Sequence, residues 1–240
     1  MPLPLLILVP IAVPIALATI TGVAFQAHNS LNNGKITDAL IRELPQTGLT
    51  ACTLRPQFRT NNKLLNVFSR TGVKMFRFVR HQPSPEVHGI TYSLLDGRDA
   101  HPLSTIHIEG LKSEVLFHGS DEILQNLGLV SIRHVVDADD NYRMFILPDG
   151  HTYQWTGKTR YLERVTDRSG TQDTEVRERI GAARRIGTRI WEIKFDERQL
   201  PAEVVFSTAI VSILDQWNTV FGVGGIFLKS DKNLTVKFQS

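Results

Sequence analysis

One cysteine, Cys52, stands in the whole 240-residue chain, so neither an intrachain disulfide framework nor a multi-cysteine zinc site can form. An excess of either charge is lacking too: 27 Lys and Arg against 24 Asp and Glu leave +3, too dilute to imply a nucleic-acid partner. There is no repeat of fixed period, no Gly-rich phosphate loop opening a helix, and no serine in a nucleophile elbow. The eight histidines, His28, His81, His88, His101, His107, His118, His134 and His151, are dispersed, and none forms a helical i, i+4 pair beside a Glu. His101 and His107 can share a strand face, but surface imidazoles are the plainer reading.

Two further features lead to no chemistry. Asp137-Ala138-Asp139-Asp140-Asn141 starts like a calcium loop, yet Tyr142 stands where the sixth-position Gly belongs and no Glu follows at the twelfth, so it reads as a turn. Cys52 has no visible catalytic neighbourhood and reads as a buried, inert thiol. The expectation is a non-catalytic protein, not an enzyme, with no metal, no cofactor and no nucleic acid; the sequence names no protein partner.

What the chain does have is apolar material. Hydrophobic residues make up 42% and charged residues 21%, enough for one core of ordinary size. Through Ser30 there is no charged side chain, and residues 3–25 are nearly continuous apolar sequence broken only by Thr19 and Thr21. That length suits a membrane span, since roughly 20 apolar residues cross a hydrocarbon core. An uncleaved transmembrane anchor leads. The flanking cations Lys35 and Arg42, with Arg55 and Arg59 farther off, then place the body in the cytosol. A cleaved secretory signal is the alternative: Gly22-Val23-Ala24 supplies the small-x-small triplet, although no Lys or Arg precedes the run. An apolar element of the fold is the third reading. Pro2, Pro4, Pro10 and Pro14 weaken an ideal helix but are tolerated in spans. The lone thiol, and a sequon at Asn233-Leu234-Thr235 placed in a strand-like tail, lean toward the cytosol.

The chain divides into residues 1–27, an anchor or signal; 28–49, a linker with a short helix; and 50–240, a single folded domain. In the linker Ile36, Leu40, Ile41 and Leu44 fall at near-helical spacing, stopped by Pro45 and Gly48. From Thr50 on, short β-branched and aromatic runs predict strands at 63–69, 73–80, 89–95, 104–109, 114–118, 130–136, 142–147, 152–155, 161–166 and 188–195. Asp96-Gly97, Pro148-Asp149-Gly150 and Ser169-Gly170 supply hairpin turns between them. In 188–195 the residues Trp191, Ile193 and Phe195, with Arg189, form the expected buried face. In 73–80 Arg77 shares a face with Met75 and Val79, which predicts an edge or a bulge. About ten short strands without intervening helices predict a closed or nearly closed antiparallel β-barrel, because closure removes exposed edges.

One segment breaks the style. Residues 201–220 read as a helix, with Pro201 in its first turn, Glu203 complementing the positive end and Gly222 past the stop. Its middle, 204–214, is apolar or small on every face, so it must be surrounded by sheet or by lipid. Residues 223–228 and 234–238 then look like two more strands.

Three runs carry a family resemblance: Phe195-Asp196 leading into 202–214, then Leu214-Asp215-Gln216, and the hairpin from Met144 through Gly150 to Tyr153-Gln154-Trp155. Over residues 50–240 the chain resembles the tubby carboxy-terminal-like superfamily, which includes tubby domains, phospholipid scramblases and LURP-one-related proteins. The resemblance implies antiparallel strands wrapped around a central hydrophobic carboxy-terminal helix, and a lipid-facing or adaptor role. The tubby phosphoinositide motif and the scramblase acidic calcium segment have no counterpart here, so no binding residue carries over. The best candidates for binding anything are Arg177, Arg179, Arg184, Arg185 and Arg189, interrupted by Glu175 and Glu178. On an anchored protein they would meet acidic phospholipids; otherwise they form a solvated loop with local ion pairs. Two alternatives remain: a scramblase-like lipid transporter with residues 204–228 crossing the bilayer, and a secreted binding protein.

Overall fold

The computed structural model describes residues 25–30, 37–57, 64–82, 89–98, 101–109, 112–118, 122–136, 140–167 and 174–217. The apolar opening stretch and the strand-like runs expected at 223–228 and 234–238 lie outside them. Among the described residues no helix is long and apolar enough to cross a membrane.

Among the described residues fourteen strands form one sheet: β1 (Phe25–Ser30), β2 (Thr37–Arg42), β3 (Thr50–Pro56), β4 (Leu64–Ser69), β5 (Lys74–Arg80), β6 (Ile90–Asp96) and β7 (Pro102–Glu109) in the first half. The second half holds β8 (Lys112–Phe117), β9 (Leu129–Val136), β10 (Asn141–Ile146), β11 (Thr152–Thr156), β12 (Tyr161–Asp167), β13 (Thr174–Gly187) and β14 (Ile190–Phe195). From β3 to β14 each strand pairs antiparallel with the next, and β14 returns to β3 through Trp191↔Leu54, Ile193↔Cys52 and Phe195↔Thr50. The result is a closed, up-and-down antiparallel barrel of twelve strands with no free edge in its wall.

The inward side chains follow the period of two. Leu65 and Val67 of β4, Phe76 and Phe78 of β5, Ile106 and Ile108 of β7, and Trp191, Ile193 and Phe195 of β14 are all buried. The Arg77 anomaly is a bulge, since the β4–β5 register shifts between Val67 and Phe68; it is not an edge, because β5 also pairs with β6. Arg189 is not on the buried face expected for it. It sits exposed in the β13–β14 turn.

A twelve-strand ring encloses more space than side chains alone fill, and here a helix occupies it. The helix Ala202–Val211 starts after Pro201 and continues as one π-helical turn, Ser212–Gln216. Phe206 packs on Phe76 of β5 and Phe195 of β14, with ring centroids 5.8 and 5.9 Å apart. Ser207 meets Ser104 of β7 at 2.7 Å, and Trp155 Nε1 of β11 donates to Thr208 Oγ1 at 3.0 Å. Those four strands lie around the ring, so the helix is sheathed on every side; Phe206, Ile210 and Ile213 are all buried. Residues 204–217, part of the stretch 204–228 that one alternative has crossing a bilayer, are enclosed by the ring, and 218–228 lie outside the described residues.

Outside the ring, β13 is longer than its neighbours and takes two partners on one edge. Residues 181–187 run antiparallel to β14, whereas 174–178 run parallel to β2, which pairs in turn with β1. The segment whose apolar spacing predicts a short helix is thus strand β2. The open edge of β13 supplies hydrogen-bond partners that an isolated six-residue helix lacks. A short helix that the sequence pattern does not predict, Glu122–Leu127, lies between β8 and β9.

Candidate functional site

The five arginines singled out by the sequence do not form a loop. Arg177, Arg179, Arg184 and Arg185 belong to β13, and Arg189 to the turn after it. A bulge divides the strand, because the β12–β13 register shifts where Leu162 faces Gly181 and Glu163 faces Arg179. The arginines before and after that bulge have different surroundings.

Arg177 and Arg179 are mostly covered, with 17% and 13% of their side chains exposed. Arg179 Nη1 donates to both carboxylate oxygens of Glu43 at 2.7 Å, its Nε reaches Glu163 at 3.5 Å, and its guanidinium lies 3.9 Å over the Tyr161 ring. Arg177 sits 3.6 Å from Glu163 and 5.3 Å over the Tyr142 ring. Glu163 is 2% exposed and also accepts from Gln154 Nε2 at 3.1 Å. Arg164 and Arg42 complete the lattice by pairing with Glu178. These cations tie β12, β13 and the segment after β2 together, and little of their charge faces solvent.

Arg184, Arg185 and Arg189 lie at the other end of the strand. Arg184 is 72% exposed and touches Glu192 at 3.2 Å, Arg185 Nε donates to the Gly187 carbonyl at 3.2 Å, and Arg189 is exposed. Ile186, 47% exposed, stands among them. The β11–β12 turn opens at the same end of the barrel and carries exposed Lys158; the Arg160 carbonyl there accepts from Ala183 N of β13 at 2.9 Å. Glycine is required in that turn. A Cβ on Gly157 would lie 2.9 Å from the Asn141 carbonyl and 2.6 Å from Gln216 Nε2.

A second polar group lies inside the ring, where the π-turn widens the helix. Asp215 pairs with Arg143 of β10, both almost fully buried, and Gln216 Nε2 donates to the Asn141 carbonyl at 2.7 Å. Trp217 Nε1 donates to the Thr156 carbonyl at 3.1 Å. Burial lowers the Arg143 pKa to about 10, and burial first and Arg143 second hold the His134 imidazole below its usual value. An isolated buried carboxylate would be costly, so Asp215 needs this partner, and the pair fixes the end of the helix against one strand.

The remaining candidates do not converge. His81 pairs with Ser93 at 2.8 Å, His107 with Thr91 at 3.2 Å, and His118 with Thr105 at 2.8 Å. His101 precedes β7 rather than sharing its face with His107. Among the described residues no three His, Cys, Asp or Glu gather as a metal site would require. Asp137 and Asp139 lie outside the described residues, while Asp140 accepts from the backbone N–H of Asn141 and Lys158, pinning a turn. Cys52 is buried with its thiol on Met75 Sδ at 3.6 Å, and burial, then Glu197, pushes its pKa up to about 11. Burial thus favours the protonated thiol at neutral pH.

Sequence reasoning missed Lys158 and Ile186. The signal for Ile186 was present, an isolated apolar residue between Arg185 and Gly187 in a segment otherwise rich in charge.

No protein-family model matches the chain, and no curated protein does. An X-ray structure of a protein from Arabidopsis thaliana is similar to it at 14% sequence identity and a TM-score of 0.38, covering 68% of this chain and 91% of that one.

Proposed function

We propose that this chain is a non-catalytic, tubby-like barrel held at a membrane by its amino-terminal apolar segment, with the body on the cytosolic side. Its part is to bind anionic phospholipid head groups, directly or as an adaptor, through Arg184, Arg185 and Arg189. The observation that carries the reading is the exposure of these three cations together at one turn, where among the described residues Glu192 pairs with Arg184. Near an anionic surface each cation contributes about 1 kcal/mol, so three supply a contact of useful strength once the chain is already tethered. Arg177 and Arg179, committed to Glu43 and Glu163, add little.

Cosedimentation of residues 25–240 with phosphatidylserine vesicles tests this. Replacing Arg184 and Arg185 together by Glu is expected to weaken binding by at least roughly thirtyfold, from about 1 kcal/mol per cation removed and more for reversal. Unchanged binding would defeat the proposal. The secreted alternative predicts a mature chain starting at Phe25 in the medium, and amino-terminal sequencing after carbonate extraction of membranes decides between the two. The scramblase-like alternative is less well supported, because residues 204–217 are enclosed by sheet.

A further inference from the structure

Two residues other than glycine adopt a left-handed backbone among the described residues, and both are arginines: Arg160 at φ 60° and Arg189 at φ 63°. Both belong to turns at one end of the barrel, Arg160 between β11 and β12, Arg189 between β13 and β14. Glycine or asparagine takes that conformation at less cost, so a long cationic side chain at φ near +60° holds a strain that the turn itself does not require. Arg160 has a local role, its guanidinium lying 5.3 Å over the Trp191 ring and its carbonyl holding β13. Arg189 is exposed.

Around Arg189 the same end presents Arg184, Arg185 and Lys158 as exposed cations, with Ile186 projecting half-exposed at the hairpin tip. At the opposite end of the ring the β4–β5 turn also exposes an apolar side chain, Val73 at 54%, so exposure alone does not distinguish the two ends. That far turn carries exposed Arg70 and Lys74 beside Val73, so what distinguishes the β11–β12 and β13–β14 end is the larger gathering of exposed cations, Arg184, Arg185, Arg189 and Lys158, together with the left-handed arginines. Such a surface complements an anionic bilayer, where cations remain at head-group level and one apolar side chain enters the acyl boundary.

We infer that the barrel docks end-on, with the β11–β12 and β13–β14 turns applied to an anionic bilayer, Ile186 inserted and Arg189 positioned at head-group level by its left-handed backbone. This rests on the lipid-binding reading above and adds to it the face and the inserted residue. The docked orientation places the β4–β5 turn away from the lipid.

The test uses the full chain reconstituted in brominated-lipid vesicles, with or without phosphatidylserine. Ile186→Trp reports on the docking end and Val73→Trp on the far end, over a constant background from the buried Trp155, Trp191 and Trp217. Quenching of Ile186→Trp that needs phosphatidylserine and fades in high salt, with Val73→Trp unaffected, is the expected result. Phosphatidylserine-dependent quenching of Val73→Trp instead, or of both equally, overturns the end-on orientation but leaves lipid binding standing. No dependence on phosphatidylserine at either probe overturns both. A second variant tests the strain. Arg189→Asn is expected to keep Tm unchanged or raise it by up to about 2 °C while weakening the phosphatidylserine-dependent binding of the full chain, read by Ile186→Trp quenching, about fivefold. A lowered Tm with unchanged binding would make Arg189 a structural residue and overturn its assigned place.

Discussion

The two halves of β13 carry the same residue type in opposite circumstances. Before the bulge, Arg177 and Arg179 are packed over tyrosine rings and held by Glu43 and Glu163, whereas after it Arg184 stands mostly in solvent with one acidic contact. The contrast shows that a cluster of arginines in sequence is not a cluster in chemistry. Neighbouring acids on β12 and after β2 decide which cations are structural, and the bulge brings the strand past those acids.

The largest effect is expected at Glu163, which serves both covered arginines. Glu163→Ala leaves two largely buried guanidiniums short of a counter-charge, and the loss of about 3 kcal/mol should appear as a Tm lower by roughly 6–12 °C in thermal unfolding. Next comes Arg179→Ala, which removes the paired contact to Glu43 and the Tyr161 stacking; about 2 kcal/mol is expected from chemical denaturation at unchanged m. Either variant unfolding like the native chain would erase the distinction between the halves.

Arg198 offers a third case, exposed like Arg184 yet donating to both carboxylate oxygens of buried Asp196 at 2.8 Å. The Arg198 hydrogen bond, partly opposed by burial, holds the Asp196 carboxyl below the usual carboxylate range. A depressed folded-state pKa contributes stability that is present above the unfolded-state value and lost as the pH falls through the folded one. Arg198→Ala should therefore be less stable than the native chain at pH 6, and the gap should close on acidification to pH 2. A gap independent of pH would assign the effect to something other than Asp196. Smallest of all is Arg184→Ala, for which exposed-pair energetics give less than about 0.5 kcal/mol in stability while vesicle binding falls. A large loss of stability there would move Arg184 into the structural half.

Much of the wall was legible because each strand reports its own burial. Trp191, Ile193 and Phe195 alternate with Glu192 and Lys194, and a two-residue period needs no knowledge of the partner strand. The central helix was legible for a similar reason, being apolar on every face. Strand β13 was not, since its bulge buries both Ile180 and Gly181 and its outer positions hold charges paired across strands, so no regular alternation survives. Strand β2 misled because Ile36, Leu40, Ile41 and Leu44 satisfy a helical period, while the edge that recruits it lies far along the chain. The partner of Asp215 was equally hidden. That Arg143 faces it depends on which strand meets the helix end, and no local pattern reports that. At the candidate site the residue types were readable and their division into two halves was not, because it rests on Glu43 and Glu163.

The seam between β14 and β3 joins the last strand of the ring to the first, and the element that fills the interior follows both in sequence. During synthesis the inner faces of eleven strands therefore wait, greasy and open along two borders, until residues 190–211 leave the ribosome. A nascent chain halted before that point has neither its final stave nor its stopper, and its two open borders and bare inner face are the surfaces through which partly folded chains aggregate.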